Sequence, residues 1–206
     1  MFSEYDYTGY FYVESGYQFR SYLDVKKRPG WLRRKLRRMK PRFGSGHPDL
    51  MVVMMNPGAS SPLEGGDDGR APHPASPDLT QKQIVKLMAQ CGLDYARIVN
   101  LSDLRYPNSI DFLSELRPVD TAGIAHSIFD RARSEEFQQV FTQTVPVVLA
   151  WGVDERLRPL ARRALDQIRS PRRLGHKKGG NDWAYYHARA RGKDPQIWVD
   201  EIARQL

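Results

Sequence analysis

The chain has 206 residues, enough for one domain with a sizeable core, since folding at this length hides roughly 70 % of the unfolded surface. Its 32 Lys and Arg against 24 Asp and Glu leave a net charge of +8, which points to a polyanionic partner, nucleic acid ahead of an anionic membrane surface. A single cysteine, Cys91, excludes an internal disulfide and any multi-cysteine zinc site, and no stretch approaches the ~20 apolar residues of a membrane helix. The first ten residues lack the basic and apolar regions of a signal peptide, so a cytoplasmic protein is expected.

In chain order, residues 10–13 and 17–25 alternate aromatic and polar side chains around Glu14-Ser15-Gly16 and predict an antiparallel hairpin without evident catalytic content. Residues 26–42 then hold ten basic side chains and no acid, with Trp31, Leu32, Leu36 and Met39 at helical spacing. A basic helix there would set Arg33, Arg34, Arg37 and Arg38 against DNA; an anionic membrane or a solvated face are the alternatives. Residues 51–60, MVVMMNPGAS, read as a buried central strand that stops at Asn56-Pro57-Gly58. Pro57 biases Asn56 toward an extended backbone and Gly58 permits a tight turn. The carboxyl edge of an open α/β sheet is where ligands bind, so Asn56 is placed to meet one.

Residues 60–77 have a loop composition, and residues 78–91 a capped helical pattern with Ile84, Leu87, Met88 and Cys91 on one side. Residues 96–101 repeat the earlier theme, a short strand ending in Asn100 and followed by Asp103 and Arg105. Residues 109–141 carry two or three helices, 145–152 a third core strand and 154–168 a basic helix. A cationic loop at 172–180 and a terminal helix at 194–206 follow. Together these elements predict an α/β three-layer sandwich with a mainly parallel central sheet plus an N-terminal antiparallel hairpin. One domain spans residues 1–206, with 1–45 as hairpin and basic helix and 46–206 as the core.

Neither a Gly-rich phosphate loop ending in Lys-Ser or Lys-Thr nor a Gly-x-Gly-x-x-Gly signature is present, which weighs against ATP and dinucleotides. The five His are scattered, so no metal and no cofactor is expected. What remains is a set of polar groups at strand ends: Asn56, Asn100, Asp103 and Arg105, with His176 or His187 near the late Gly-Lys-rich loop.

This constellation resembles the uracil-DNA glycosylase superfamily, in particular its mismatch-specific thymine/uracil branch. The likeness rests on Asn56-Pro57-Gly58, on Asn100 at the second strand end, on the VVLAWG strand and on a late His-containing loop. The whole chain, over roughly residues 5 to 190, also resembles a bacterial family of unassigned function. That family shares the Asn-Pro motif, Asn-Leu-x-x-Leu-Arg (residues 100–105), Ala-Trp-Gly (150–152) and Leu-Gly-x-x-Lys (174–178). The resemblance implies a uracil-DNA-glycosylase-like fold and a monofunctional DNA glycosylase that flips a base from the stack and hydrolyses its N-glycosidic bond. Asn56 would orient the water, backbone N–H groups by Pro57 and Gly58 would contact the base, and Asn100 would read its edge. His187 or His176 would donate to the departing base, although the superfamily's His-Pro-Ser stretch has no counterpart in Tyr186-His187-Ala188.

Asp103 could activate water, stabilise the sugar cation or bind the amino group of a cytosine-like base; otherwise it pairs with Arg105. An amino-group contact would make the substrate a bulky modified cytosine, as in phage DNA, and the role an antiviral one. Arg105 and Trp151 are further candidates for substrate contact, and Lys177 and Lys178 for contact with double-stranded DNA. No membrane and no obligate protein partner is expected. The competing readings are a non-catalytic nucleic-acid-binding protein and an N-glycosyl hydrolase of free nucleosides or nucleotides.

Overall fold

A computed structural model of the chain describes residues 2–29, 46–67, 69, 71–189, 192 and 194–206. Among the described residues the fold is mixed α/β, built on a single eight-stranded sheet. Strand β3 (Leu50–Met54) lies inside its parallel part: all five side chains are buried, and it has a parallel neighbour on each side. A strand buried on both faces needs an unbroken apolar run, which is what this segment supplies. Its neighbours are β6 (Tyr95–Asn100) and β7 (Val147–Ala150), with β8 (Arg173–Leu174) beyond β7.

The N-terminal hairpin is part of the sheet itself. Strands β1 (Tyr5–Glu14) and β2 (Tyr17–Lys27) are joined by Ser15 and Gly16, both at positive φ, the turn that matches hairpin twist. β2 pairs antiparallel with β6, while β1 pairs with β5 (His73–Ser76), which holds the short edge strand β4 (Ser61–Pro62). The order is β4-β5-β1-β2-β6-β3-β7-β8. This corrects the expectation of a mainly parallel sheet: the pairings β1–β2, β1–β5, β2–β6 and β4–β5 are antiparallel, against the parallel β3–β6, β3–β7 and β7–β8. The hairpin, by inserting beside β6, brings in the antiparallel half. Residues 60–77 are likewise not wholly a loop, because β4 and β5 form a ribbon within them.

Helices cover both faces. α1 (Leu79–Cys91) and α5 (Pro195–Ala203) bury Ile84, Leu87, Met88, Trp198 and Ile202 with Leu50, Val52 and Met54 of β3. Met51 and Val53 point the other way, into a cluster with Phe112, Leu116, Phe137, Leu160 and Ala164. Those residues come from α2 (Ser109–Thr121), α3 (Ser134–Val140) and α4 (Arg158–Gln167). Pro118 does not break α2, which runs on to Thr121. Among the described residues no helix is long and apolar enough to cross a membrane.

Candidate active site

The ends of β3 and β6 are laced together. Leu101 N donates to Met54 O and Ser102 N to Met55 O, so the parallel ladder continues past both strands before the chain turns away at Asn56. There the Asn56 carboxamide takes over: its Nδ2 donates to Tyr106 O at 2.8 Å and Leu104 O at 3.4 Å. Two carbonyl partners can be served only by the NH2 end of the amide, which fixes its orientation. The Oδ1 atom is thereby left as the acceptor that Asn56 offers at the edge.

Gly58 follows at φ +64°, and an added Cβ would lie 2.5 Å from Asp78 Oδ2. Asp78 is the cap of α1: Oδ1 accepts from Thr80 N and Gln81 N, and the Gln81 side chain accepts from Asp78 N in return. One carboxylate oxygen thus holds the helix while the other rests on the Asn-Pro-Gly turn. Only glycine satisfies both the backbone angle and the close approach.

His187 shares the electrostatic surroundings of Asp78. Burial lowers its pKa below the ordinary histidine value, with the Asp78 charge opposing that shift. Its Nδ1 accepts from Arg189 N at 3.2 Å, so the neutral ring carries its proton on Nε2. The ring is therefore a neutral donor near pH 7. His176 is committed elsewhere: Nδ1 lies 2.5 Å from a Glu201 carboxylate oxygen on α5, and the ring packs edge-on against Tyr186. The Asp78 carboxylate whose charge reaches His187 is the one that lies against Gly58 in the turn.

Asn100 ends β6 opposite Met54 and is fully buried; neither Nδ2 nor Oδ1 has a hydrogen-bond partner. Arg105 donates from Nε to Ser60 O at 3.2 Å and from Nη1 to Asp67 at 2.8 Å, its guanidinium 5.3 Å over the Phe11 ring. Beside them stands a residue that the sequence reading passed over, Arg20 of β2, fully buried with no partner for Nε, Nη1 or Nη2. The desolvation of Arg20 lowers its pKa to about 10, against the raising influence of Asp78 and Asp103. An arginine within a strand was the available signal; the hairpin's plain polar-aromatic alternation hid it.

Two expectations are corrected. Asp103 does not pair with Arg105: it is wholly enclosed, with Oδ2 2.6 Å from Arg133 Nη1 and Oδ1 without a hydrogen-bond partner. Arg133 also holds Glu136, which accepts from Ser21, so Asp103 belongs to an ion network packed against α3. Burial raises the Asp103 pKa to about 7, Arg133 opposing. Trp151 is not at the surface of a cleft but fully buried in the core, its Nε1 bonded to Trp183 O and its ring edge-on to Tyr185. The α4 arginines and their neighbours are ion-paired: Arg156 with Asp154, Arg158 with Glu155, Arg162 with Asp182 and Arg163 with Asp130.

Lys177 and Lys178 lie on the loop that folds back so that Lys177 and Gly152 both bridge to Tyr185; Lys177 is exposed. Pro57 is buried under the turn. Arg33, Arg34, Arg37 and Arg38, with the rest of residues 30–45, lie outside the described residues. Among the described residues no group of three or more His, Cys, Asp or Glu could hold a metal ion. Comparison with family models, with curated proteins and with solved structures finds no match to this chain.

Proposed function

We propose that the protein is a DNA N-glycosylase related to the uracil-DNA glycosylase superfamily, acting on a modified base flipped from duplex DNA. The observation that carries this reading is the Asn56 carboxamide at the carboxyl end of β3, whose Nδ2 is held by the Leu104 and Tyr106 carbonyls so that its Oδ1 remains as the acceptor. Cleavage needs little more than charge stabilisation and a placed water, because the C1′–N bond breaks with its electron pair leaving on the base. An oxocarbenium-like sugar remains. Asn56 Oδ1 accepts a hydrogen bond from the attacking water, which adds to C1′ and gives its proton to solvent, leaving an abasic sugar and the free base. A neutral His187 donates from Nε2 to the developing anion on the base, a role that its lowered pKa suits. Asn100 supplies one donor and one acceptor to the base edge.

The net charge of +8 supports a nucleic-acid substrate. The assay is incubation with duplexes carrying uracil, a thymine mismatch or glucosylated hydroxymethylcytosine, followed by alkali to break abasic strands. Strand breaks at a modified base are the expected result. DNA retention with no abasic product from any duplex overturns the reading in favour of a binding protein, and base release from free nucleosides alone overturns it in favour of a nucleoside hydrolase.

A further inference from the structure

Arg20 sits where a charged side chain is costly. It pairs with Phe11 across β1 and β2, and directly opposed residues share a sheet face. Phe11 and Leu23 belong to the α1 face, as do Ala96 and Ile98, whose alternation places Asn100 there too. Arg20 Cδ lies 3.4 Å from the Cβ position of Gly9, so the missing side chain of Gly9 makes room for both Arg20 and Phe11. The result is a group of buried polar atoms at the carboxyl end of this face. It contains the three nitrogens of Arg20, both polar atoms of Asn100 and the hydroxyl of Ser60, all buried and all without hydrogen bonds.

The neighbouring acids Asp78 and Asp103 act on Arg20 through their charge without hydrogen-bonding it, and Asp103 Oδ1 is itself buried without a partner. Asp78 Oδ1 caps α1, Asp103 Oδ2 is bonded to Arg133, and Asp67 is bonded to Arg105. Arg105 adds a second cation to the same surroundings. A guanidinium carries five N–H donors, and leaving them unpaired away from water costs several kcal/mol on the general scale for buried ions. Buried charges persist where something pairs with them.

We propose that Arg20, with Asn100 and Ser60 beside it, is an oxyanion-binding subsite that takes a carboxylate or phosphate group of a ligand bound at the carboxyl edge. The planar fork of Arg20 matches two oxygens of such a group, and Asn100 Nδ2 and the Ser60 hydroxyl supply further donors. The oxyanion has two sources: an acidic substituent on an extruded base, or the phosphate of a mononucleotide. The subsite goes beyond the glycosylase reading and is tested by binding, so base release plays no part in its fate. Because Arg20 is enclosed, entry requires the side chains over it to move, and association should be slower than diffusion allows.

The test is titration calorimetry with the full chain and three probes: deoxyuridine, deoxyuridine 5′-monophosphate and 5-carboxydeoxyuridine. Either charged probe should bind at least roughly tenfold tighter than deoxyuridine, and the one that does identifies the source of the oxyanion. Arg20→Met, which keeps the packing length and removes the charge, should abolish that preference while raising or preserving the melting temperature of the free protein. Arg20→Lys, which keeps the charge but lacks the fork, should fold and lose most of the preference. Equal affinity for all three probes, no binding by any, or a preference that survives in either variant overturns the proposal.

Discussion

Gly58 and Asp78 hold each other in place: the Cβ position of Gly58 is 2.5 Å from Asp78 Oδ2, and Asp78 Oδ1 caps α1. The strand-end turn and the helix start are therefore one unit. Gly58→Ala should destabilise the protein by about 1–3 kcal/mol, combining a strained positive φ with displacement of the cap. Urea denaturation of the variant checks this, and a change below a few tenths of a kcal/mol would contradict the coupling.

Asp78→Asn should separate two roles of that carboxylate. Asparagine caps helices as well as aspartate, so stability should change by less than about 1 kcal/mol. The charge that opposes the lowered pKa of His187 would be gone, and the imidazole should titrate lower still. NMR titration of His187 in the two proteins measures the direction of the shift.

The buried Asp103 makes stability depend on pH with a definite sign. Its folded pKa is raised from 3.8 to about 7, so between those values the folded protein binds more protons than the unfolded chain. Its contribution to stability therefore falls as pH rises through that window and is constant above it. His187, with its folded pKa lowered, acts oppositely: it removes stability as pH falls below 6.5. Comparing wild type with Asp103→Asn cancels the His187 effect, because both proteins contain that residue. Relative to wild type, the variant should gain stability from pH 5 to pH 8 in denaturant melts, and a constant difference would show that Asp103 does not titrate there.

Under the glycosylase reading, protonation of His187 below its usual range turns Nδ1 into a donor that can no longer accept from Arg189 N, so the ring loses its anchor and activity falls on the acid side. His187→Gln keeps a donor that cannot titrate. Base release by the variant should be slower but lose that acid limb, and a limb that persists assigns it to another group.

DNA affinity should weaken steeply with salt, since each phosphate neutralised by Lys or Arg releases counterions. The arginines at and before α4 are paired with Asp154, Glu155, Asp182 and Asp130, but exposed pairs of this kind are worth only about 0–1 kcal/mol and open readily for a phosphate. Fluorescence anisotropy with duplex DNA between about 50 and 200 mM salt should show at least a tenfold loss. A flat profile would rule out binding through backbone charge.

The features legible in the sequence are those fixed by local chemistry. The apolar run from Met51 reads as a doubly covered strand, the Asn-Pro-Gly stop as the end of that strand, and Asp78 as a helix start. Strand order was not legible, because nothing local to residues 17–27 says that they pair with β6 and shift the sheet toward antiparallel pairing. Arg20 was missed for a related reason: alternation separates two faces but does not reveal that helices cover both. The role of Asp103 depended on Arg133, thirty positions away, and proximity in sequence to Arg105 suggested the wrong partner. Trp151 followed the strand inward, where its N–H found the Trp183 carbonyl.

The most direct test of the central claim compares wild type with Asn56→Ala on one modified duplex under single-turnover conditions, with DNA affinity measured in parallel. Loss of the oriented acceptor should slow abasic-site formation by about a hundredfold or more, while the affinity for DNA stays within a few-fold. Equal rates of base release in the two proteins would contradict the assignment of Asn56 to the attacking water.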